Sequence, residues 1–143
     1  MASRVGAAAD EAVNTAGRVI GETVARVDGR VVGWARVASP SATGPCGFCA
    51  LMLSRGAVYK SRKSAGALRK WHTNCRCRVE PLYSTQDYTS DPRFELNRWY
   101  RGLYDKDFAK VKTRDRLRAW RNEIDYRNGV IPSRRVLRAS KKK

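Results

Sequence analysis

The sequence predicts an α+β fold, in which an N-terminal helix and short strands make a small domain and a basic helical C-terminal extension follows it. Three observations predict this. Apolar residues recur at three- and four-residue spacing over 8–27, the period of an amphipathic helix. The stretch 30–39 turns to β-branched residues around Trp34, and 77–83 is extended in character. All four cysteines and the only histidine of the 143 residues fall between Cys46 and Cys77, which marks a module held by more than its apolar core.

The cluster reads Cys46-Gly47-Phe48-Cys49 and then, after twenty-two residues, His72-Thr73-Asn74-Cys75-Arg76-Cys77. Two thiols three positions apart can reach one ion from a single tight turn, and Gly47 relaxes the backbone inside it. Zinc takes four ligands in a tetrahedron and prefers thiolate sulfur and imidazole nitrogen. Five candidates stand for four places: Cys46, Cys49, His72 and Cys75 form the favoured set, with Cys77 as the substitute. The expected fold is therefore a zinc-stabilised α+β domain. With the sole histidine spent on coordination, the ion lacks both an open position and a general base, so its expected role is structural. Two disulfides, from Cys46 or Cys49 to Cys75 or Cys77, are the alternative and need an oxidising compartment. Buried, unligated thiols are a third reading.

In the first helix Val5, Ala9, Ala12, Val13, Ala16, Val19, Ile20, Val24 and Val27 line a narrow, alanine-rich face suited to packing against another helix or subunit. Gly17 and Gly21 weaken this helix and permit close approach, and Asp28-Gly29 ends it. Arg30 to Ser39, β-branched around Trp34, reads as a strand, and 39–45 as the loop that delivers the chain to Cys46. Phe48 to Ser54 reads as a short helix with Cys49 at its amino end, where the helix dipole favours a thiolate. Gly56 closes it, Ala57-Val58-Tyr59 makes a brief strand, and Ser61 caps a helix through Leu68 that carries Arg62, Lys63, Arg69 and Lys70 outside. Cys77 to Tyr83 is extended and offers Val79 and Leu82 to the core.

The polar stretch Ser84 to Ser90 marks the boundary between a domain at 1–83 and a helical extension at 84–132. Asp91-Pro92 opens a helix with Leu96, Trp99, Tyr100 and Leu103 on its buried side. A last helix over Thr113 to Asn128 buries Leu117, Trp120 and Ile124 and stops at Gly129. A tail at 133–143, basic and without acid, has the composition of a disordered segment.

Thirty Lys and Arg against thirteen Asp and Glu give a formal charge of +17, unevenly spread. Residues 1–45 carry five basic and four acidic side chains, 46–83 eight and one, and 84–143 seventeen and eight. Such an excess points to a polyanionic partner, double-stranded DNA, with Arg62, Lys63, Arg69, Lys70, Arg76, Arg78, Arg134, Arg135, Arg138, Lys141, Lys142 and Lys143 as expected contacts. The mixed-sign stretch 105–127 reads instead as solvated helix faces. No apolar run approaches a membrane span, and Asp10 and Glu11 stand where a signal peptide would be hydrophobic, so the chain is expected to stay in the compartment where it is made.

Pro45-Cys46-Gly47-Phe48-Cys49, the segment from His72 to Cys77 and the exit Val79-Glu80-Pro81 together resemble the phage Mu F-like (MuF) minor head proteins of tailed bacteriophages. The intervening 50–61 and the lead-in 30–37 look like the form of that domain found in phages of actinobacteria. The resemblance covers residues 1–83, with Thr73 where many members have proline. It implies a structural role and no enzyme: a capsid-associated protein at the portal or capsid interior during head morphogenesis, in multiple copies, meeting portal and capsid or scaffold proteins. It also implies location in host cytoplasm during assembly and then in the virion.

Charge adds a DNA contact to that expectation, since Lys and Arg that neutralise phosphates release counterions and bind without reading sequence. Two other classes compete. An HNH-type endonuclease needs a histidine base together with further metal ligands, and one histidine cannot be both base and zinc ligand. A zinc-containing DNA-binding regulator needs a groove-reading element, and the sequence has no recognisable recognition helix.

Overall fold

The computed structural model describes residues 4–38, 44–61, 64 and 77–130. Helix α1 spans Arg4–Val27, β1 Gly33–Ala38, α2 Gly47–Ser54, β2 Cys77–Leu82, α3 Asp87–Ser90, α4 Glu95–Asp107 and α5 Thr113–Arg127, with a 3-10 turn at Pro92–Phe94 feeding α4. The strands pair antiparallel, Gly33 opposite Leu82 and Ala38 opposite Cys77. The class is α+β, as the periodicities predict.

β1 is buried along nearly its whole length because both faces of the ribbon are covered. Trp34, Tyr59 and Val79 pack together on one face. On the other, Ala35, Val37 and Leu82 pack on Phe94, with Tyr88 at the edge. At the end of the ribbon Cys77 enters the largest cluster, where Cys49, Ala50 and Leu53 of α2 meet Tyr100, Phe108, Trp120 and Ile124. Residues from both sides of the 83/84 division therefore share one core. Trp120 is its centre: the rings of Tyr100, Tyr104 and Phe108 stand edge-on to it at 6.1, 5.5 and 5.2 Å, each pair adding about 0.5–1.5 kcal/mol beyond area burial.

Local chemistry sets the ends of these elements. Asp91 caps the turn before α4 by accepting the N–H of Arg93 at 2.8 Å, with Pro92 in the first position. Gly56 stops α2 with φ +70°, and a Cβ there would lie 2.7 Å from Tyr88 Oη, so geometry and space both require glycine. Arg30 binds Asp28 just past α1 through its guanidinium and its backbone N–H, which holds the Asp28 carboxyl down to about 2.

Several expected details are corrected. The buried side of α4 carries Asn97 rather than Leu96 and Trp99. The Asn97 amide donates to the Arg36 carbonyl at 2.6 Å and the Leu53 carbonyl at 3.3 Å, tying α4 to β1 and α2. Meeting these buried carbonyls fixes the helix rotation and leaves Leu96 on the surface with Trp99, which is 46% exposed and lies under the Arg127 guanidinium at 5.2 Å. Leu117 is 58% exposed, while Trp120 and Ile124 are fully buried; the rings of Tyr104 and Phe108 already fill the core at that end. Ala57 to Tyr59 is no strand: Tyr59 alone reaches β1, accepting the Trp34 N–H at 3.0 Å, and Val58 stays outside.

α1 differs most. Among its described side chains Arg18 alone is buried, donating from Nε to the Cys77 carbonyl at 2.8 Å. Val13, Val19, Ile20 and Val27 are exposed, and a Cβ at Gly17 or Gly21 would meet nothing.

Two measurements check this packing. Asn97→Ala takes the amide donor from the buried Arg36 carbonyl, while the Leu53 carbonyl keeps the Gly56 N–H at 3.0 Å, and lowers the free energy of unfolding by about 1–3 kcal/mol in urea melts. Burial pushes the Tyr100 phenol up to about 12 from 10.0. Its raised folded-state value means that this contribution to stability is complete below pH 10 and is lost as pH rises through 12. A spectrophotometric titration should find this phenol ionising with alkaline unfolding.

Candidate functional site

The cysteine turn is a helix cap. Cys46 has an extended backbone, φ −64° and ψ 164°, and its Sγ accepts the N–H of Cys49 at 3.5 Å, so the first thiol sits outside α2 and the second one turn within it. The two differ in exposure: Cys46 lies at the surface, while Cys49 is buried in the same cluster as Cys77. Cys77 begins β2, and its carbonyl carries the Arg18 bond from α1. The fold thus brings the first cysteine pair and the end of the second cluster into one region.

The last helix holds this turn in place. Trp120 donates from Nε1 to the Gly47 carbonyl at 2.8 Å, and Asn128 donates from its amide to the Pro45 carbonyl at 2.8 Å. Gly44 has φ +69°, and a Cβ on it would come 2.6 Å from Asn128 Oδ1. Gly47 plays a different part from the one expected. Its φ is not positive; a Cβ on it would stand 3.1 Å from Arg121 Cα, so the missing side chain gives α5 room rather than the turn freedom.

Sequence reasoning missed Arg18, Asn128 and the polar role of Trp120. Each joins a carbonyl 59 to 83 residues away, and no local pattern encodes such a partner. One signal existed, because a buried indole N–H needs an acceptor.

His72 and Cys75 lie outside the described residues. So do Arg62, Lys63, Arg69, Lys70, Arg76, Arg134, Arg135, Arg138, Lys141, Lys142 and Lys143. Ser61 Oγ accepts the N–H of Ser64 at 3.2 Å, the i to i+3 bond of a capping residue, but the helix expected after it lies outside as well. Among the described residues no group of three or more His, Cys, Asp or Glu is placed to hold a metal ion.

Of the expected DNA contacts only Arg78 is described. It is paired with Glu80, whose other oxygen meets Arg93 at 3.5 Å. The helices also match much of their own charge: Arg101 with Asp105 at 2.7 Å, Arg118 with Asp115 at 3.1 Å and Arg127 with Glu123 at 2.7 Å. Arg98 and Arg116 are turned onto backbone carbonyls. The Arg118–Asp115 and Arg127–Glu123 pairs lie on the mixed-sign faces expected for 105–127, and such surface pairs add about 0–1 kcal/mol each. In the sequence, 62–76 and 131–143 together carry eleven Lys and Arg and no Asp or Glu, eleven of the chain's net +17.

Fold and turn define a small α+β module in which a cysteine-capped helix is pinned by an aromatic helix behind it. The chain belongs to the VG15 protein family, a family of phage proteins, which matches residues 1–106. That span ends within α4, so Trp120 and Asn128 lie beyond it. No curated protein and no solved structure matches the chain. No helix among the described residues is long and apolar enough to cross a membrane.

The clamp is testable with Trp120→Phe, which keeps a ring and deletes the N–H donor. Stability should fall by about 2–4 kcal/mol. Labelling of Cys49 by a thiol reagent, mapped by mass spectrometry, should accelerate more than that of Cys46, because Cys49 is the buried member.

Proposed function

We propose that the chain is a MuF-like minor head protein of a phage, associated with the capsid interior near the portal and bound to packaged DNA without reading its sequence. The observation that carries this reading is the segregation of charge: eleven cations and no acid in two segments, beside helices whose arginines are largely matched by their own acids or carbonyls. Membership of a phage family and the likeness of the Cys/His segments to MuF proteins supply the virion context. In mechanism, each Lys or Arg laid on a phosphate displaces a condensed counterion, and the released ions drive binding. The role is structural rather than catalytic, with portal and capsid or scaffold proteins as partners, in host cytoplasm during assembly and in the virion afterwards.

Zinc fits the chemistry of the donors. Cys46 and Cys49 form one half of a tetrahedral set, and His72 with Cys75 or Cys77 would complete it. The Cys49 N–H already points at Cys46 Sγ, an interaction that thiolate charge strengthens. When bound, the ion would tie the α2 turn to the entry of β2, segments otherwise joined by a long connection.

Three measurements test the reading. Elemental analysis of protein purified without added zinc should find one ion per chain, absent in Cys46→Ser; metal-free protein with bridged sulfurs would overturn the zinc assignment. Affinity for a duplex of arbitrary sequence should drop steeply between about 50 and 200 mM salt, and deleting 133–143, with its six cations, should flatten the log–log slope by up to about 5. An unchanged slope would remove the tail from the DNA contact. Mass spectrometry of purified particles should find the protein in DNA-filled heads; its absence would refute the head assignment.

A further inference from the structure

We propose that the outward face of α1 is a self-association surface whose occupant is α1 of a second copy of this chain, lying antiparallel. The proposal is independent of the head assignment. α1 meets its own protomer through the flank of Arg18, bonded to the Cys77 carbonyl. The opposite side presents Val13, Ile20 and Val27 at 72%, 65% and 80% exposure. These three are spaced by seven, and a second row, Ala9, Ala16 and Thr23, runs beside them at the same spacing. A seven-residue repeat of two rows keeps a seam facing another helix of the same pitch, which neither a sheet nor a bilayer surface requires.

Size sets the direction. Antiparallel copies place the large row against the small one: Val13 opposite the partner's Thr23, Ile20 opposite the partner's Ala16, and Val27 opposite the partner's Ala9. The Ile20–Ala16 and Val27–Ala9 layers then pair a β-branched residue with alanine, and the Val13–Thr23 layer pairs two β-branched residues of similar size. Parallel copies would set alanine against alanine and valine against valine, leaving voids beside tight layers.

Charge sets the occupant. The chain carries +17 and repels copies of itself, yet α1 holds three cations, Arg4, Arg18 and Arg26, against three anions, Asp10, Glu11 and Glu22. This neutral stretch is where two such chains can meet at least electrostatic cost. Its N-terminal half is net acidic and its C-terminal half net basic, so antiparallel copies lay each half on its complement and oppose their helix dipoles. DNA or an anionic membrane would find no surplus of cations on this helix. The rows from Ala9 to Val27 give a seam of about 27 Å along the helix.

Sedimentation equilibrium of the full chain, without nucleic acid and from about 1 to about 200 µM, should show a monomer–dimer equilibrium of micromolar strength. Ile20→Glu should weaken it by about a hundredfold or more, and Val13→Glu likewise, with circular dichroism unchanged because both side chains are exposed in the protomer. A benzophenone side chain at position 27 should crosslink near the partner's Ala9. A monomer over the whole range, or a dimer indifferent to both substitutions, would overturn the proposal. Crosslinks at the partner's Val27 would overturn the orientation. A wild-type monomer that binds phosphatidylcholine vesicles and loses them on the same substitutions would give the face to lipid and refute pairing.

Discussion

The hydrogen bond from the Trp120 indole N–H to the Gly47 carbonyl is the constraint around which this protein is arranged. It joins α5 to the first turn of α2, and three aromatic rings pack edge-on to the indole, which is buried. Ring and bond act together. Burial of the indole supplies the largest single block of apolar area in the core, and the acceptor lets its one polar atom enter with it. Because Gly47 lies between the two cysteines of the turn, fixing its carbonyl also fixes the positions of Cys46 and Cys49.

The same device recurs. Asn97 joins α4 to β1 and α2, Arg18 joins α1 to β2, and Asn128 joins the end of α5 to the approach of the cysteine turn. All are side-chain donors to backbone carbonyls far away in sequence. A two-stranded ribbon is marginal on its own, and this one is sandwiched between clusters whose helices are anchored by those donors. The protein substitutes a few well-placed amides and guanidinium groups for a larger sheet.

This explains what was legible beforehand. The positions of α1, β1, α2, β2, α4 and α5 follow from spacing, and the stops at Gly56 and Gly129 and the start at Asp91-Pro92 follow from backbone chemistry, so these could be read from the sequence; the strand expected at Ala57 to Tyr59 is absent, and α3 forms at Asp87–Ser90 in a stretch that reads only as a polar boundary. Which face of a helix points inward is another matter. Leu96 and Trp99 lose to Asn97, and Arg18 is buried while Ile20 is not, because distant carbonyls decide the rotation and hydrophobicity along the helix does not reveal them. The clustering of cysteines was plain as well, but the residues that hold the turn lie in α5 and look like ordinary core or cap positions. Charge could be counted in advance; its pairing, as between Arg78 and Glu80, depends on strand geometry that composition does not carry.

The distance between clamp and turn also has a consequence for synthesis. Trp120 is made 73 residues after Gly47, and at about 5–20 residues per second several seconds separate the two on the ribosome. Throughout that interval the thiols of the nascent turn remain open to metal ions and to oxidants alike. Cys49 can be buried only once α5 emerges, whereas Cys46 stays at the surface of the finished fold, so completion of the chain divides two thiols that the nascent turn exposes alike.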